Sequence, residues 1–310
     1  MTTVNVLNLG FTGAAIIDNQ QVLVTNGSIT KTQNINYLTS VSIPHAETIF
    51  GTDSRTRIKY SDGTYNISGN VSFDVTAPAL HLLRVDPPLN SNGTTGLLKR
   101  GKSFTVDFFG GNQNLDAYRC TECCVTSLSV SGAVGGVINA NLSFVAKNMQ
   151  QLIPKIIDGE PSYGDFIRTE NNIPLGYWYS GQTSGGLMSA NIQEWTLDYS
   201  QEATPVYLNG WTELEEGSEG GDLIEDDMYP QYIRIGQVTY GLSVTTIGSQ
   251  YPNNNEGNVS IDIGTQSFII QATMSSFTYN LAQANGLSTY SHTFEGYADI
   301  SDGSGGFVIS

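Results

Sequence analysis

The chain has 310 residues, 34 of them Gly and 10 Pro, and few helical periodicities, a composition that reads as short strands joined by frequent turns. Its formal charge of −16 sits in one half: residues 1–168 hold 12 bases and 12 acids, whereas 169–310 hold Arg234 against 17 acids. Such a surface repels nucleic acid and anionic lipid, which excludes a basic clamp on DNA.

In chain order, the opening MTTVNVLNLGFTGAAIIDNQ contains no base, the first being Lys31, so no secretory signal is expected. SITKTQNINY (Ser28–Tyr37) alternates polar and apolar residues as a half-buried strand does, and a long loop, Leu38 to Thr56, follows it. RIKYSDGTYNIS (Arg57–Ser68) is the next strand. TAPALHLL (Thr76–Leu83) has a cap-like Thr, an early Pro and a spacing that suits a short helix. FTVDF (Phe104–Phe108) precedes the cysteine cluster RCTECC. The uncharged run Cys123–Ala146 is long enough to span a membrane. Its alternating Ser and Asn residues and its central Gly132, Gly135 and Gly136 make it a hairpin instead. The stretch after Lys147 has broken periodicity around Pro154, Pro161 and Pro174, with a short helix expected before the first proline.

The second half repeats the first. YIRIGQVTYGLS (Tyr232–Ser243) aligns without a gap on RIKYSDGTYNIS at an offset of 175, with Ile58 meeting Ile233 and Thr64-Tyr65 meeting Thr239-Tyr240. Before each stands an alternating strand, SITKTQNINY or NIQEWTLDYS, and after each comes FTVDF or VSIDI. Last come VTSLSV with INANLSFVA, and FIIQATM with STYSHTFEGYA. Four matches in one order, separated by gaps of different length, are what a duplicated domain accumulates, because loops tolerate length changes. The expected layout is a first β domain over 1–147, a connector over 148–175 and a second, related β domain over 176–310. The fold class is all-β: two sandwich or barrel units in tandem, with a short helix in the first.

Catalytic apparatus is sparse. His45, His81 and His292 are far apart and stand in no catalytic motif; His81 and His292 read as packing residues. No catalytic residue and no cofactor are expected. Cys120, Cys123 and Cys124 admit three readings: buried thiols, a disulfide including one to a neighbouring subunit, or a metal site. The last lacks the second pair that structural zinc needs. Eight carboxylates without a base, Glu213, Glu215, Glu216, Glu219, Asp222, Glu225, Asp226 and Asp227, fall in a long loop from Gln201 to Pro230. That acidic loop reads as a solvated segment, a surface docking on a basic patch of another subunit, a lumenal repeller of polyanions, or a calcium site. The basic counterpart is Arg55, Arg57, Lys59, Lys99, Arg100 and Lys102. Among the tryptophans, Trp195 alternates with Leu197 and reads as core, while Trp178 and Trp211 sit in loop-like settings.

These phrases, above all VTSLSVSGAVGGVINANLSFV, resemble the tail tube proteins of tailed bacteriophages, and the likeness covers most of the chain except the connector and ends. The resemblance implies a structural, non-catalytic virion protein made in the host cytoplasm. It implies β domains whose sheets join side by side around a ring, rings that stack, and a lumen through which DNA passes without specific binding. The partners so implied are further copies of the chain, a tape-measure protein and, in contractile tails, a sheath; no membrane is involved. Most tube subunits carry one such domain and form hexamers, so a duplicated subunit is expected to form trimers. A tail-tip, hub or terminator ring, and a receptor- or glycan-binding sandwich, are the alternatives.

Overall fold

The computed structural model describes residues 2–4, 14–38, 58–83, 96–109, 117–152, 156–157, 160–161, 174–177, 191–207, 228–247, 256–263, 266–281, 288–296 and 307–309. The chain is predominantly β. In the first half the strands are β1 (Thr2–Val4), β2 (Ala14–Ile17), β3 (Gln20–Leu38), β4 (Ile58–Asp74), β5 (Phe104–Phe109), β6 (Ala117–Ala133), β7 (Gly136–Val137) and β8 (Asn139–Ala146). Then come β9 (Asn148–Gln151), β10 (Ile156–Ile157), β11 (Glu160–Pro161) and β12 (Gly176–Tyr177). The second half has β13 (Asn191–Val206), β14 (Tyr232–Ile247), β15 (Glu256–Ile263), β16 (Gln266–Asn280), β17 (Thr289–Gly296) and β18 (Phe307–Ile309).

One large antiparallel sheet holds nearly all of them. In the first half β2, β3, β4, β8, β6 and β5 pair in succession, and β5 returns to β2, so these six strands close on themselves. The long strands β3 and β6 turn the corners of this small barrel at bulges, between Val24 and Asn26 and between Val125 and Ser127. An extra residue at such a point bends the strand and raises its twist, which lets one strand serve two faces. The tight β2–β3 link uses Asp18 and Asn19, both at positive φ (48° and 66°), the pairing that a two-residue hairpin demands.

In the second half the pairing order is β13–β14–β17–β16–β15, with β18 on β16. In the first half it is β3–β4–β8–β6–β5, with β9 on β6. The two halves join where β6 pairs antiparallel with β13, from Ser127 opposite Ser200 to Ala133 opposite Glu194. Inward-pointing residues of both halves form one apolar cluster that includes Ile29, Ile67, Phe73, Phe108, Phe144, Trp195, Leu242 and Phe294. Burying a side chain of that size contributes about 1.5–3 kcal/mol, so the seam is part of the core. Trp195 lies over Gly132, where an added Cβ would come within 3.0 Å of the indole.

Three expectations change here. Pro78–Leu83 forms a 3₁₀ helix, with Thr76 Oγ1 accepting from the Ala79 N–H as a cap does. The residues before Pro154 form strand β9, not a helix: Asn148–Gln151 pair with Tyr118–Thr121, and the half-buried Met149 packs on the core. β9 thus extends the first half's sheet beyond Lys147. Finally, the loop expected from Gln201 starts later, because β13 stays paired with β14 as far as Val206. The uncharged run folds as the β6–β8 hairpin.

Gln201 ties the seam. Buried in β13, it donates through Nε2 to the Val125 carbonyl (2.9 Å), while its Oε1 accepts from the Gly101 N–H (3.0 Å) and the Tyr199 hydroxyl (3.2 Å). Removing one partner of a buried hydrogen bond strands the other. Gln201→Leu should lower unfolding free energy by about 2–3 kcal/mol with an unchanged denaturant slope, measured by urea titration.

Candidate assembly surface

Strand alternation gives the sheet two unlike faces. Directly opposed residues share a face, so the registers can be followed across eight strands. One such row runs Asn26, Ser72, Asn141, Ser129, Asp198, Gly241, Glu295 and Thr273, from β3 to β16 and across the seam. A neighbouring row is Ser28, Asn70, Ser143, Ser127, Ser200 and Thr239. On the other side lies Asp74, Asn139, Ser131, Thr196, Ser243, Thr293 and Ser276. Beyond it stand Ala133, Glu194, Thr245, Ser291 and Thr278. These rows contain short polar side chains and four carboxylates, and none contains Lys or Arg; the third row ends on β3 at the half-buried Leu23, opposite Asp74.

Several of these groups bond laterally. Ser72 Oγ donates to Asn141 Oδ1 (3.3 Å), Asn139 Nδ2 to Asp74 Oδ1 (3.0 Å) and Thr245 Oγ1 to Glu194 Oε1 (3.0 Å). Partial burial raises the carboxyl of Asp74 above its ordinary range. Three described bases are held away from these rows. Lys31 points to the opposite face, donates to the Tyr229 hydroxyl and lies over the rings of Tyr65 (3.8 Å) and Tyr229 (4.6 Å). Arg119 forms a bidentate pair with buried Asp107, both contacts at 2.7 Å, and that pair raises the guanidinium further. Lys147 reaches Glu122.

Of the expected basic patch, Lys102 is tied to Asp18 of its own chain at 2.8 Å, so its charge is already met. Lys99 and Arg100 are exposed on the turn before β5, and Lys59 lies in β4 opposite Tyr37. Arg55 and Arg57 lie outside the described residues, as do Glu213, Glu215, Glu216, Glu219, Asp222, Glu225, Asp226 and Asp227 of the acidic loop, Trp178, Trp211 and His45. The side chain of His81 is likewise outside them. The flanks of the acidic segment are described, and both lie on the β3–β4 pair: the Tyr207 hydroxyl donates to the Tyr65 carbonyl, and the Tyr229 ring packs, tilted by 41°, 5.0 Å from that of Tyr65.

Cys120, Cys123 and Cys124 are free and buried. A bulge centred on Glu122 (φ 50°) breaks the alternation, which is how residues three apart both turn into the core. Burial pushes the Cys123 thiol well up, with Cys120 beside it adding to the effect, and burial followed by the charge of Glu122 raises Cys124. The thiolate is the reactive form, so burial disfavours reaction at Cys123 and Cys124, and all three thiols are shielded from bulky reagents. A bulky disulfide reagent should titrate none of the three in the native protein and all three in denaturant.

Among the described residues no group of three or more His, Cys, Asp or Glu could hold a metal ion. An open pocket of about 180 Å³ is lined by Ile16, Asn19, Thr105, Asp107, Arg119 and Thr121, and its two charges are already paired with each other. No helix among the described residues is long and apolar enough to cross a membrane, which leaves β-barrels unaddressed. No protein-family model matches the chain, and no curated protein matches it significantly.

His292 is buried in β17, its Nε2 3.5 Å from the Thr246 hydroxyl and its ring near Phe277 and Phe294. Burial disfavours the imidazolium and lowers its pKa from 6.5. The unfolded chain then binds the proton more readily, so the stability present above about pH 6.5 is lost as pH falls towards the depressed native value. The slope is at most about 1.4 kcal/mol per pH unit for one group. His292→Phe should remove that slope, gaining on the parent between pH 7 and 5 in urea titrations.

Proposed function

We propose that this chain is a structural subunit of a bacteriophage tail tube, polymerising as stacked rings around a lumen lined by the polar sheet face. The observation that carries the reading is that face: it is continuous across eight strands, and the four rows traced above lack Lys and Arg, the exposed Arg234 opposite Thr204 lying beyond them at the far end of β13 and β14. Duplex DNA sticks to proteins through cations that displace its counterions. A wall of hydroxyls, amides and a few carboxylates offers no such points. Repulsion decays over about 8 Å at physiological salt, so it acts on a duplex that nearly fills the bore.

The internal duplication supports the same reading. The pairings β3–β4, β4–β8, β8–β6, β6–β5 and β6–β9 recur as β13–β14, β14–β17, β17–β16, β16–β15 and β16–β18. The registers recur too. Gly69 lies opposite Phe144 and Val244 opposite His292, an equivalence that matches the sequence echo in β4 and β14. The β6–β13 seam is then an edge-to-edge junction between two related units inside one chain. Three chains joined by the same junction would place six units around a ring. Closing the ring removes the open edges, which otherwise invite irregular association.

Purified protein viewed in negative stain should form long hollow filaments whose rings have threefold, not sixfold, subunit stoichiometry. Isolated rings alone would favour a terminator or hub, and monomers at every concentration would overturn the proposal. Ser129→Lys, Thr196→Lys and Ser243→Lys together should leave filament formation intact. They should confer salt-sensitive retention of double-stranded DNA, which the parent tube lacks at physiological salt.

A further inference from the structure

The seam within the chain specifies how a second copy would join, and an element of the same chain stands in the way. The correspondence rests on the duplicated-unit reading above. First, Thr32 lies opposite Asn66 as Asp198 lies opposite Gly241, so Lys31, Thr32 and Gln33 of β3 correspond to Leu197, Asp198 and Tyr199 of β13. Second, Ser127 lies opposite Ser143 as Thr278 lies opposite Ser291. Leu128, Ser129 and Val130 of β6 therefore correspond to Tyr279, Asn280 and Leu281 at the end of β16. Third, the seam pairs Leu128 with Tyr199, Ser129 with Asp198 and Val130 with Leu197. Carried over, Tyr279 faces Gln33, Asn280 faces Thr32 and Leu281 faces Lys31 of another copy.

The donor side is open. Beyond Met274, β16 pairs with β17 alone among the described strands. Tyr279 is 46% exposed and Leu281 80%, whereas their counterparts Leu128 and Val130, covered by β13, are 1% and 0% exposed. The acceptor side is occupied. Strand β1 pairs antiparallel with β3, Thr2 opposite Gln33, Thr3 opposite Thr32 and Val4 opposite Lys31. These are the same three residues, approached in the same direction.

We infer that β1 is a removable cap: it holds the edge of β3 that Tyr279–Leu281 of a second copy would take, and that copy must displace it to join. The exchange swaps a three-residue strand for a longer one with an aromatic anchor. A short edge strand of this kind hides backbone groups that would otherwise recruit strands at random.

Cross-linking tests the cap directly. Chains carrying Gln33→Cys are mixed with chains carrying Tyr279→Cys, and the interchain disulfide is followed with and without residues 2–4. Removing those residues should speed cross-linking about tenfold, the worth of one or two net backbone hydrogen bonds. Conversely, a disulfide between Thr3→Cys and Thr32→Cys should hold the protein as monomers in sedimentation until reductant is added, and it reports independently if the shortened chain fails to fold. Unchanged rates together with polymerisation of the oxidised lock would overturn the cap while leaving the tube proposal standing. Cap-dependent cross-links without filaments would uphold the cap and sink the tube. If the Gln33→Cys and Tyr279→Cys chains form no mutual disulfide in any form, the edge assignment itself is overturned.

Discussion

Backbone hydrogen bonds between β6 and β13 determine how the two halves of the chain relate, because antiparallel pairing leaves no freedom in which side chains share a face. With Ser129 opposite Asp198, the serines and acids of both strands are bound to the same side, and Leu128, Val130, Leu197 and Tyr199 to the other. A slip of one residue would carry Trp195 out into water and bring Asp198 into the core. Both the single apolar cluster and the unbroken polar face follow from that one register. Gln201 and the fit of Trp195 over Gly132 act against the slip, the first through hydrogen bonds to groups on two other segments and the second through shape.

Much of this was legible beforehand. Alternation in SITKTQNINY, NIQEWTLDYS and the two echoing phrases marks strands, and Trp195 is core as its spacing with Leu197 implies. His292 is a packed residue, as expected from its place between Tyr290 and Phe294. Features that depend on a partner strand were less visible. Nothing in Asn-Met-Gln-Gln marks an edge strand; it becomes one because β6 offers an open edge beside it. The bulge at Glu122 is equally silent, and without it the spacing of Cys120 and Cys123 would put one thiol outside. The basic patch illustrates a further limit, since composition could not reveal that Lys102 and Asp18 meet, or that two tyrosines surround Lys31.

The halves also differ where their sequences match. Phe144 leans on Gly69, leaving no room for a Cβ there, whereas the corresponding pair is His292 beside Val244. In the first half β2 closes the strands into a barrel, while in the second the described strands β15 to β13 form an open run ending at the seam. On the proposed duplication, strand order persists through changes in core size and in closure. Pairing depends on main-chain groups that every residue except proline carries in full, whereas side-chain packing depends on residue identity.

The rows of the polar face have a topographic consequence beyond their charge. Their members reach at most a few heavy atoms past Cβ, and most are Ser, Thr or Asn, so relief on that wall is shallow and its texture repeats from strand to strand. Hydroxyls and amides hold a layer of water, and short side chains have little rotamer freedom to lose when something presses against them. A long polymer moving along such a surface meets low corrugation and no position that it fits better than the next. Were that face to line a tube as proposed, it would act as a wetted bearing, since most members of the traced rows stand no taller than Asn.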